Sequence, residues 1–557
     1  MGGIGAGTGT STTRSTGDAP PRASLVLTAL IISAMVCNIN LASANIALPE
    51  VGDAFGAGQT ALNLVALGCS LGLAMSVLYL GAVADRTGRR RMLVLGLALT
   101  IVASAISAVA PTIETLIAAR IFTGIAAGMA YPTTLSLITA LWAPGPRRTR
   151  AIATWSSTSA MASVVGAILA GLLLEAFPWN AAFLLAAPIA AVGLVLVIVS
   201  VPAHVAESAE PIDHVGGVLS VFAVAALVLG VSIVFAPGGG VPGIALIGTA
   251  IVLVAAFGWR QRVAASPLFD LRIAARRLFW VPAAAGVIVF GSLMGFMFVS
   301  AQFVQSILGY GTLEAGLASV PAAVGLLAMI PVSAKLVTTA GTRVTLLVGY
   351  GLVLVGFATT LFWRESTPYW LIGSGFFIIG AGVAIAMTPI SRALTSSTPV
   401  RRIGMASGTS DLQRDLGGAL MQAIVGAILA SGFAHAFGRL ITASPQASSI
   451  PAEVTAALQA SYGSALHVAE QYPQYRDSIL QAANESFVAG AFGAYLVGGI
   501  AVAIGLALVA IGVPSHDREL VLLREYATED AARAAADGGD VEAGVAPTRG
   551  IRHDGAS

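Results

Sequence analysis

The sequence predicts an all-α integral membrane protein with about fourteen transmembrane helices, and three observations carry that prediction. Some 56% of the residues are apolar and only 10% charged, where a soluble domain carries roughly 25% charge. The apolar residues gather into runs of about 20, the length a helix needs to cross a hydrocarbon core. Between Gly81 and Arg91 the chain reads GAVADRTGRRR, an acid and a row of arginines wedged between two such runs. Arginine in hydrocarbon is too costly for that stretch to lie in the membrane, so it is expected in a short surface loop from which the chain returns at once into lipid.

The first half of the chain contains spans at 25–48, 61–84, 92–110, 115–141, 151–174 and 179–201, and two more follow at 215–235 and 241–259. After a charged linker from 260 to 277 come 279–304, 312–336, 344–363, 369–394, 403–433 and 487–513. With the N-terminus inside, the inner loops hold Arg86, Arg89, Arg90, Arg91, Arg147, Arg148, Arg150, Arg260, Arg262, Arg272, Arg276, Arg277, Lys335, Arg343, Arg401 and Arg402. The outer loops hold only Arg364, Arg439 and Arg476. This bias orients the chain in a cytoplasmic membrane with both termini cytoplasmic. Arg22, an apolar run and Ala42-Ser43-Ala44 imitate a signal peptide, but the run continues to Leu48 and further spans follow, so it reads as a retained first span.

Composition also excludes functions. A net charge of +2 offers no electrostatic basis for a nucleic-acid partner. No glycine loop followed by Lys-Ser/Thr is present to cradle a nucleotide, and the histidines show no metal-ligand spacing, so no cofactor or metal is expected. Cys37 and Cys69, both inside apolar runs, read as core residues and not as a disulfide framework.

GAVADRTGRRR, followed by RIFTGIAAG from Arg120 to Gly128, resembles two signatures of the major facilitator superfamily. NIALP at Asn45–Pro49, SPLFDLRIAARRLF at Ser266–Phe279, QSILGYGTLEAGLASVP at Gln305–Pro321 and RDLGGAL at Arg414–Leu420 resemble its fourteen-span drug:proton antiporters of the EmrB/QacA type. Arginine replaces lysine almost everywhere and Ala and Gly abound, which gives the chain an actinobacterial look. The resemblance implies a major facilitator fold of two six-helix halves plus two inserted helices. It further implies a secondary exporter, not an enzyme, that moves lipophilic, amphiphilic or cationic compounds by alternating access in exchange for protons, among membrane lipids.

A pseudo-repeat supports the two halves: AKLVTTAGTR sets Ala334, Thr338, Gly341 and Arg343 where Gly81, Asp85, Gly88 and Arg90 stand. The organisation expected is therefore a disordered cytoplasmic tail at 1–22, a six-helix half at 23–202, a linker with two inserted helices at 203–262, a second half at 263–513 and a disordered tail at 514–557. Within the second half, the exterior stretch 434–486, with Pro445, Pro451 and Pro473, reads as a small ordered cap.

Several residues stand out as functional. Gly81, Asp85, Arg86, Gly88, Arg89 and Arg90 form a conformational latch, in which Gly81 permits close helix approach and Asp85 caps a helix or pairs with Arg86 or Arg90. Its competing reading is a topogenic arginine patch facing lipid headgroups. Arg120, an ionisable residue inside a span, reads as a coupling or relay group. The family often has an aspartate where this chain has Asn40, which cannot titrate, so a proton needs another carrier. SDLQRDLGG supplies Asp411 and Asp415 one turn apart, with Arg414 able to neutralise one and leave the other, Asp411, to carry the proton. The alternative is a wet structural ion-pair cluster. Gly166 and Gly171 resemble the antiporter signature of tightly packed small residues, although Ala167 follows Gly166 where the signature has proline. Asn38, Asn40, Thr154, Ser156, Met161, Phe298 and Gln302 are the substrate-cavity candidates, a lining suited to lipophilic solutes. A lipid-like cargo on the same fold, and a polytopic membrane enzyme, are the competing functions.

Overall fold

Hydrocarbon offers a backbone no water, so each crossing segment must satisfy its own N–H and C=O groups, which a helix does. The computed structural model describes residues 20, 22–143, 146–203, 211–234, 239–264, 266–399, 403–444 and 450–536. Among them the N-terminal bundle comprises α1 (Ala23–Phe55), α2 (Gln59–Thr87), α3 (Arg89–Ala108), α4 (Ile113–Leu141), α5 (Pro146–Ala176), and α6 (Asn180–Leu184) continued by α7 (Ala186–Ser200). Two helices, α8 (His214–Ile233) and α9 (Gly240–Val263), precede the C-terminal bundle. That bundle comprises α10 (Leu271–Ala274), α11 (Arg277–Ser306), α12 (Thr312–Ala318), α13 (Val320–Thr360), α14 (Tyr369–Ser396), α15 (Ile403–Ala443), α16 (Ala452–Ala460), α17 (Tyr462–Gln471), α18 (Arg476–Gly512) and α19 (His516–Ala536).

Twelve stretches of the described residues are apolar and long enough to cross a membrane. One, Thr312–Thr360, has 49 residues, which as a straight helix would be about two and a half times the thickness of the bilayer core. It breaks at Gly341 (φ 80°, ψ 175°) and so contributes two crossings. The 31-residue α5 adds another, which makes fourteen.

Small residues set the closest approaches. Gly72 on α2 faces Gly124 on α4: a Cβ added at Gly72 would lie 2.9 Å from the Gly124 Cα and collide with the Ile121 carbonyl oxygen. Within the N-terminal bundle α1 packs on α5 and α7, and α3 on α4 and α7; within the C-terminal bundle α11, α15 and α18 pack on one another and the two parts of α13 on α14. The bundles meet along two seams, α2 against α15 and α5 against α12. In the first, Leu67, Leu71 and Ala74 pack with Ala419 and Ala423, and the Ser70 hydroxyl donates to Gln422 Oε1 at 3.2 Å. The inserted α8 leans on both α2 and α15, covering this seam.

Two expectations change, for the charged segment and for the C-terminal tail, while 434–486 is ordered. The charged segment at 81–91 is not a loop: α2 runs to Thr87, α3 starts at Arg89, and Gly88 (φ 108°) alone reverses the chain, a backbone angle that favours glycine. The stretch 434–486 contains the end of α15, then α16 and α17, and the start of α18. Ser461 reaches back across the molecule to the Ala57 carbonyl at 3.0 Å, so this cap ties the C-terminal bundle to the turn after α1. The tail expected to be disordered from 514 forms α19 as far as Ala536; the rest of it, like 1–19, lies outside the described residues.

Asp213 is buried and accepts hydrogen bonds from the Gly216 N–H (3.1 Å), Arg260 Nε (2.9 Å) and Gln261 Nε2 (3.1 Å), joining the start of α8 to the end of α9. Burial alone would raise its carboxyl, but these donors outweigh it and hold the pKa below the ordinary aspartate value.

Two outcomes follow from this packing. Gly124→Val should lower the melting temperature sharply or abolish the folded protein, because overpacking a closed seam costs about 1–3 kcal/mol or more; Gly248→Ala, whose Cβ meets open space, serves as the neutral control. The Asp213 contribution should be complete above the unfolded aspartate pKa and be lost as pH falls through the lower folded value. Melting curves of wild type and Asp213→Asn should therefore differ at neutral pH and converge in acid.

Candidate functional site

Arg120 stands two turns into α4, only 1% exposed. A guanidinium there must be fully coordinated, since its desolvation is expensive. Its Nη2 donates to the Asn40 carbonyl at 3.0 Å, Nη1 to Asn40 Oδ1 at 3.4 Å and Nε to the Val65 carbonyl at 3.4 Å. The Phe183 ring lies 5.4 Å from its Cζ, and Gly68 leaves the room it occupies. Among the described residues no carboxylate forms an ion pair with it. The residue that sequence comparison marked as an aspartate turned amide is thus the partner of the buried cation.

The second buried charge group lies on α15 where it meets the N-terminal bundle. Arg414 Nε contacts Asp415 Oδ1 at 3.0 Å, its Nη1 donates to the Tyr131 hydroxyl of α4 at 2.6 Å, and its Cζ stands 4.1 Å from the Tyr131 ring centroid. Asp415 is 8% exposed, and its Oδ2 has no hydrogen-bond partner among the described residues. Arg414 is committed to Asp415 and Tyr131, so Asp411 is left without a hydrogen bond among the described residues. Tyr131 escaped the sequence reading; a tyrosine within a run of small residues is the signal, because a buried phenol needs a polar partner.

At the arginine-rich face, Asp85 pairs with Arg89, Oδ1 to Nε 2.9 Å, and not with Arg86 or Arg90. Arg89 is the first residue of α3, so the Gly88 reversal folds it back onto Asp85, and its Nη1 also donates to the Ser136 carbonyl of α4 at 3.2 Å. Gly81 does not mediate a close approach, since a Cβ there would meet open space. Arg90 donates to the Ile198 carbonyl near the end of α7 at 2.7 Å. Its repeat partner Arg343 donates to the Ala510 carbonyl near the end of α18 at 2.6 Å. Gly88 and Gly341 both have positive φ. The repeat seen in the sequence is therefore a repeat of contacts: each bundle folds its second reversal onto its last helix.

Residues 30–422 match the family profile described as Major Facilitator Superfamily. The chain belongs to that superfamily. It is a transporter, not an enzyme. The multidrug efflux pump LfrA of Mycolicibacterium smegmatis is 31% identical over 504 residues, covering 90% of this chain and 98% of that one. The multidrug resistance protein Stp of Mycobacterium tuberculosis is 29% identical over 390 residues, covering 70% and 72%. Among solved structures, a bacterial homolog of the human lysosomal transporter Spinster, inward-facing and unoccupied, superposes with TM-score 0.59 at 14% identity over 89% of this chain and 98% of that one. A peptide transporter POT in complex with sulfate gives 0.60 at 15%, over 91% and 98%. These structures share the fold.

In this major facilitator transporter the bundles are clasped on the face that carries α16 and α17. Gln59 Nε2 donates both to Asn63 Oδ1 (3.0 Å) and, across the seam, to Gln302 Oε1 (2.8 Å). On the opposite face Arg89 and Arg90 donate to carbonyls of their own bundle. Several expected cavity residues are occupied by this arrangement: Gln302 is in the clasp, Asn40 holds Arg120, and Phe298 is buried in the apolar core. Gln302 and Phe298 are packed away because α11, which carries both, is covered by α15, α18 and α14. Asn38 is half-buried, and Thr154 and 48%-exposed Met161 lie on one uncovered face of α5; the Ser156 side chain lies outside the described residues. Gly166 and Gly171 do sit at close approaches, with added Cβ atoms 2.8 Å from the Ile39 Cα and 2.7 Å from the Leu313 Cα. Gly171 is thus part of the α5–α12 seam, where its carbonyl accepts from Thr312 Oγ1 at 3.1 Å.

Asn40→Asp, by giving Arg120 a carboxylate, should raise the melting temperature at neutral pH. Tyr131→Phe leaves Arg414 without its hydroxyl acceptor and should lower stability by about 1–3 kcal/mol, the cost of a broken hydrogen bond to a buried charge; thermal unfolding in detergent reads both.

Proposed function

We propose that this transporter is a secondary active exporter of lipophilic, amphiphilic or cationic compounds. It works in the cytoplasmic membrane with both termini on the cytoplasmic side, by alternating access and in exchange for protons. The observation that carries the coupling is the Asp411–Arg414–Asp415 group on α15, bridged by Tyr131 to α4. It sets titratable acids against the partner bundle, so a change in their charge state changes a contact between the parts that rock. Asp411 is the proton carrier in this reading, because Arg414 is already committed to Asp415 and Tyr131. The closed clasp on one face, with the Asp85–Arg89 pair on the other, supports a gating role for Gly81–Arg90 in a cycle that opens each face in turn. Relatives named as multidrug resistance and efflux proteins support the cargo class, as do the small polar and methionine side chains on α5. The site residues implicated are Asp411, Arg414 and Asp415 with Arg120 for coupling.

A second reading keeps the fold and makes the cargo a lipid or lipid-like metabolite with looser coupling. It is favoured by Asn40, which holds Arg120 without a titratable group.

Ethidium uptake into proteoliposomes under an imposed pH gradient separates the two. Wild-type flux should follow the gradient, Asp411→Asn should retain flux without following it, and Asp415→Asn and Arg120→Ala should lose flux about tenfold or more. Equal pH-driven flux in both aspartate variants would remove the carboxylate carrier, and transport of a fluorescent phospholipid in place of ethidium would favour the second reading.

A further inference from the structure

The two chain reversals are alike in shape but not in chemistry. In the first, Asp85 comes from the helix that ends there and pairs with Arg89, the first residue of α3, across Gly88. In the second, Thr338 occupies the Asp85 position, but its hydroxyl turns back to the Ala334 and Lys335 carbonyls at 3.2 and 2.8 Å. It gives the reversal nothing. Thr342 occupies the Arg89 position and is fully buried just past Gly341. A helix that starts there presents unsatisfied N–H groups and the positive end of its dipole.

A carboxylate meets it from a different part of the chain. Glu519 of α19, 4% exposed, accepts from the Thr342 hydroxyl at Oε1 (2.7 Å) and from the Thr342 N–H at Oε2 (3.3 Å). The helix that carries Glu519 is itself pinned at a second point. Asp530 takes both Nη groups of Arg276 at 3.0 and 2.5 Å, and the Tyr526 ring lies 4.7 Å from the Arg276 Cζ. Arg276 Nη1 also donates to the Ser397 carbonyl at 2.6 Å. Glu519, Tyr526 and Asp530 stand at i, i+7 and i+11, one face of a helix. That face lies across the start of α11, the break in α13 and the end of α14.

We infer that Glu519 is the positioning acid of the second reversal, supplied by the C-terminal helix in place of the acid the repeat has lost. The N-terminal bundle thus carries its gating acid within the hinge, whereas the C-terminal bundle carries it on a strap that docks on the hinge. Undocking α19 frees the angle at Gly341, and docking it fixes the two parts of α13 for rocking as one body. The effect on transport rests on the exporter reading given above; the effect on the hinge does not.

The test uses the full-length transporter, with ethidium flux in proteoliposomes and hydrogen–deuterium exchange of residues 338–346 as separate readouts. Glu519→Gln should lower maximal flux about fivefold to tenfold with an unchanged half-saturating concentration, and should speed exchange at the hinge by about tenfold, as expected for loss of a charge-assisted hydrogen bond. Glu519→Asp should keep at least half of the flux. Rebuilding the first reversal's pair, Thr338→Asp with Thr342→Arg, in the Glu519→Gln background should recover more than half of what was lost. Wild-type flux and exchange in Glu519→Gln, or no recovery from the rebuilt pair, would overturn the assignment. If the wild type moves no ethidium, the exporter reading fails for that cargo, and the exchange readout alone decides Glu519.

Discussion

Everything in this transporter depends on one constraint: inside hydrocarbon, a polar group without a partner is too expensive to keep. The constraint makes every crossing a helix, and it decides where charge can be placed. Arg120 is tolerated because two carbonyls and an amide encircle it. Arg414 is tolerated because a carboxylate and a phenol do. Both are held across helix boundaries, so the polar contacts that satisfy them also fix how α1, α2, α4 and α15 sit against one another.

The two cations differ in what they permit. Arg120 is bound by groups that do not titrate, and it ties α4 to α1 and α2 inside one bundle. Arg414 is bound by a carboxylate and a phenol, and it ties α15 to α4 across the seam between bundles. One cation is thus held within a body and the other between bodies. Small residues complete the arrangement. Gly72 against Gly124 closes a bundle, Gly171 against Leu313 closes a seam, and neither contact tolerates a larger side chain.

The pseudo-repeat shows how the same geometry is reached with different chemistry. Arg90 and Arg343 make equivalent bonds to the last helix of their bundles, and Gly88 and Gly341 make equivalent reversals. The acids are not equivalent, since one lies within its hinge and the other arrives on α19. The inserted helices add a third element. Asp213 locks α8 to α9, and α8 shields the α2–α15 seam.

The membrane class, the fourteen crossings, the family and the repeat are legible in the chain, because they are written in local hydropathy, in arginine placement and in contiguous motifs. Arg120 and the α15 acids are legible there too, since a charge inside an apolar run is visible without a fold. The partners of the polar groups come from packing. Tyr131 for Arg414, Asn40 for Arg120, Gln59 for Gln302 and Glu519 for Thr342 are all far apart in the chain, and no local pattern pairs them. Packing also reversed three local readings: Gly81 faces open space, Asp85 selects Arg89, and Phe298 is packed away in the core. The physical reason is the same in each case: composition shows that a group must be satisfied or buried, but only packing shows what is near enough to do it.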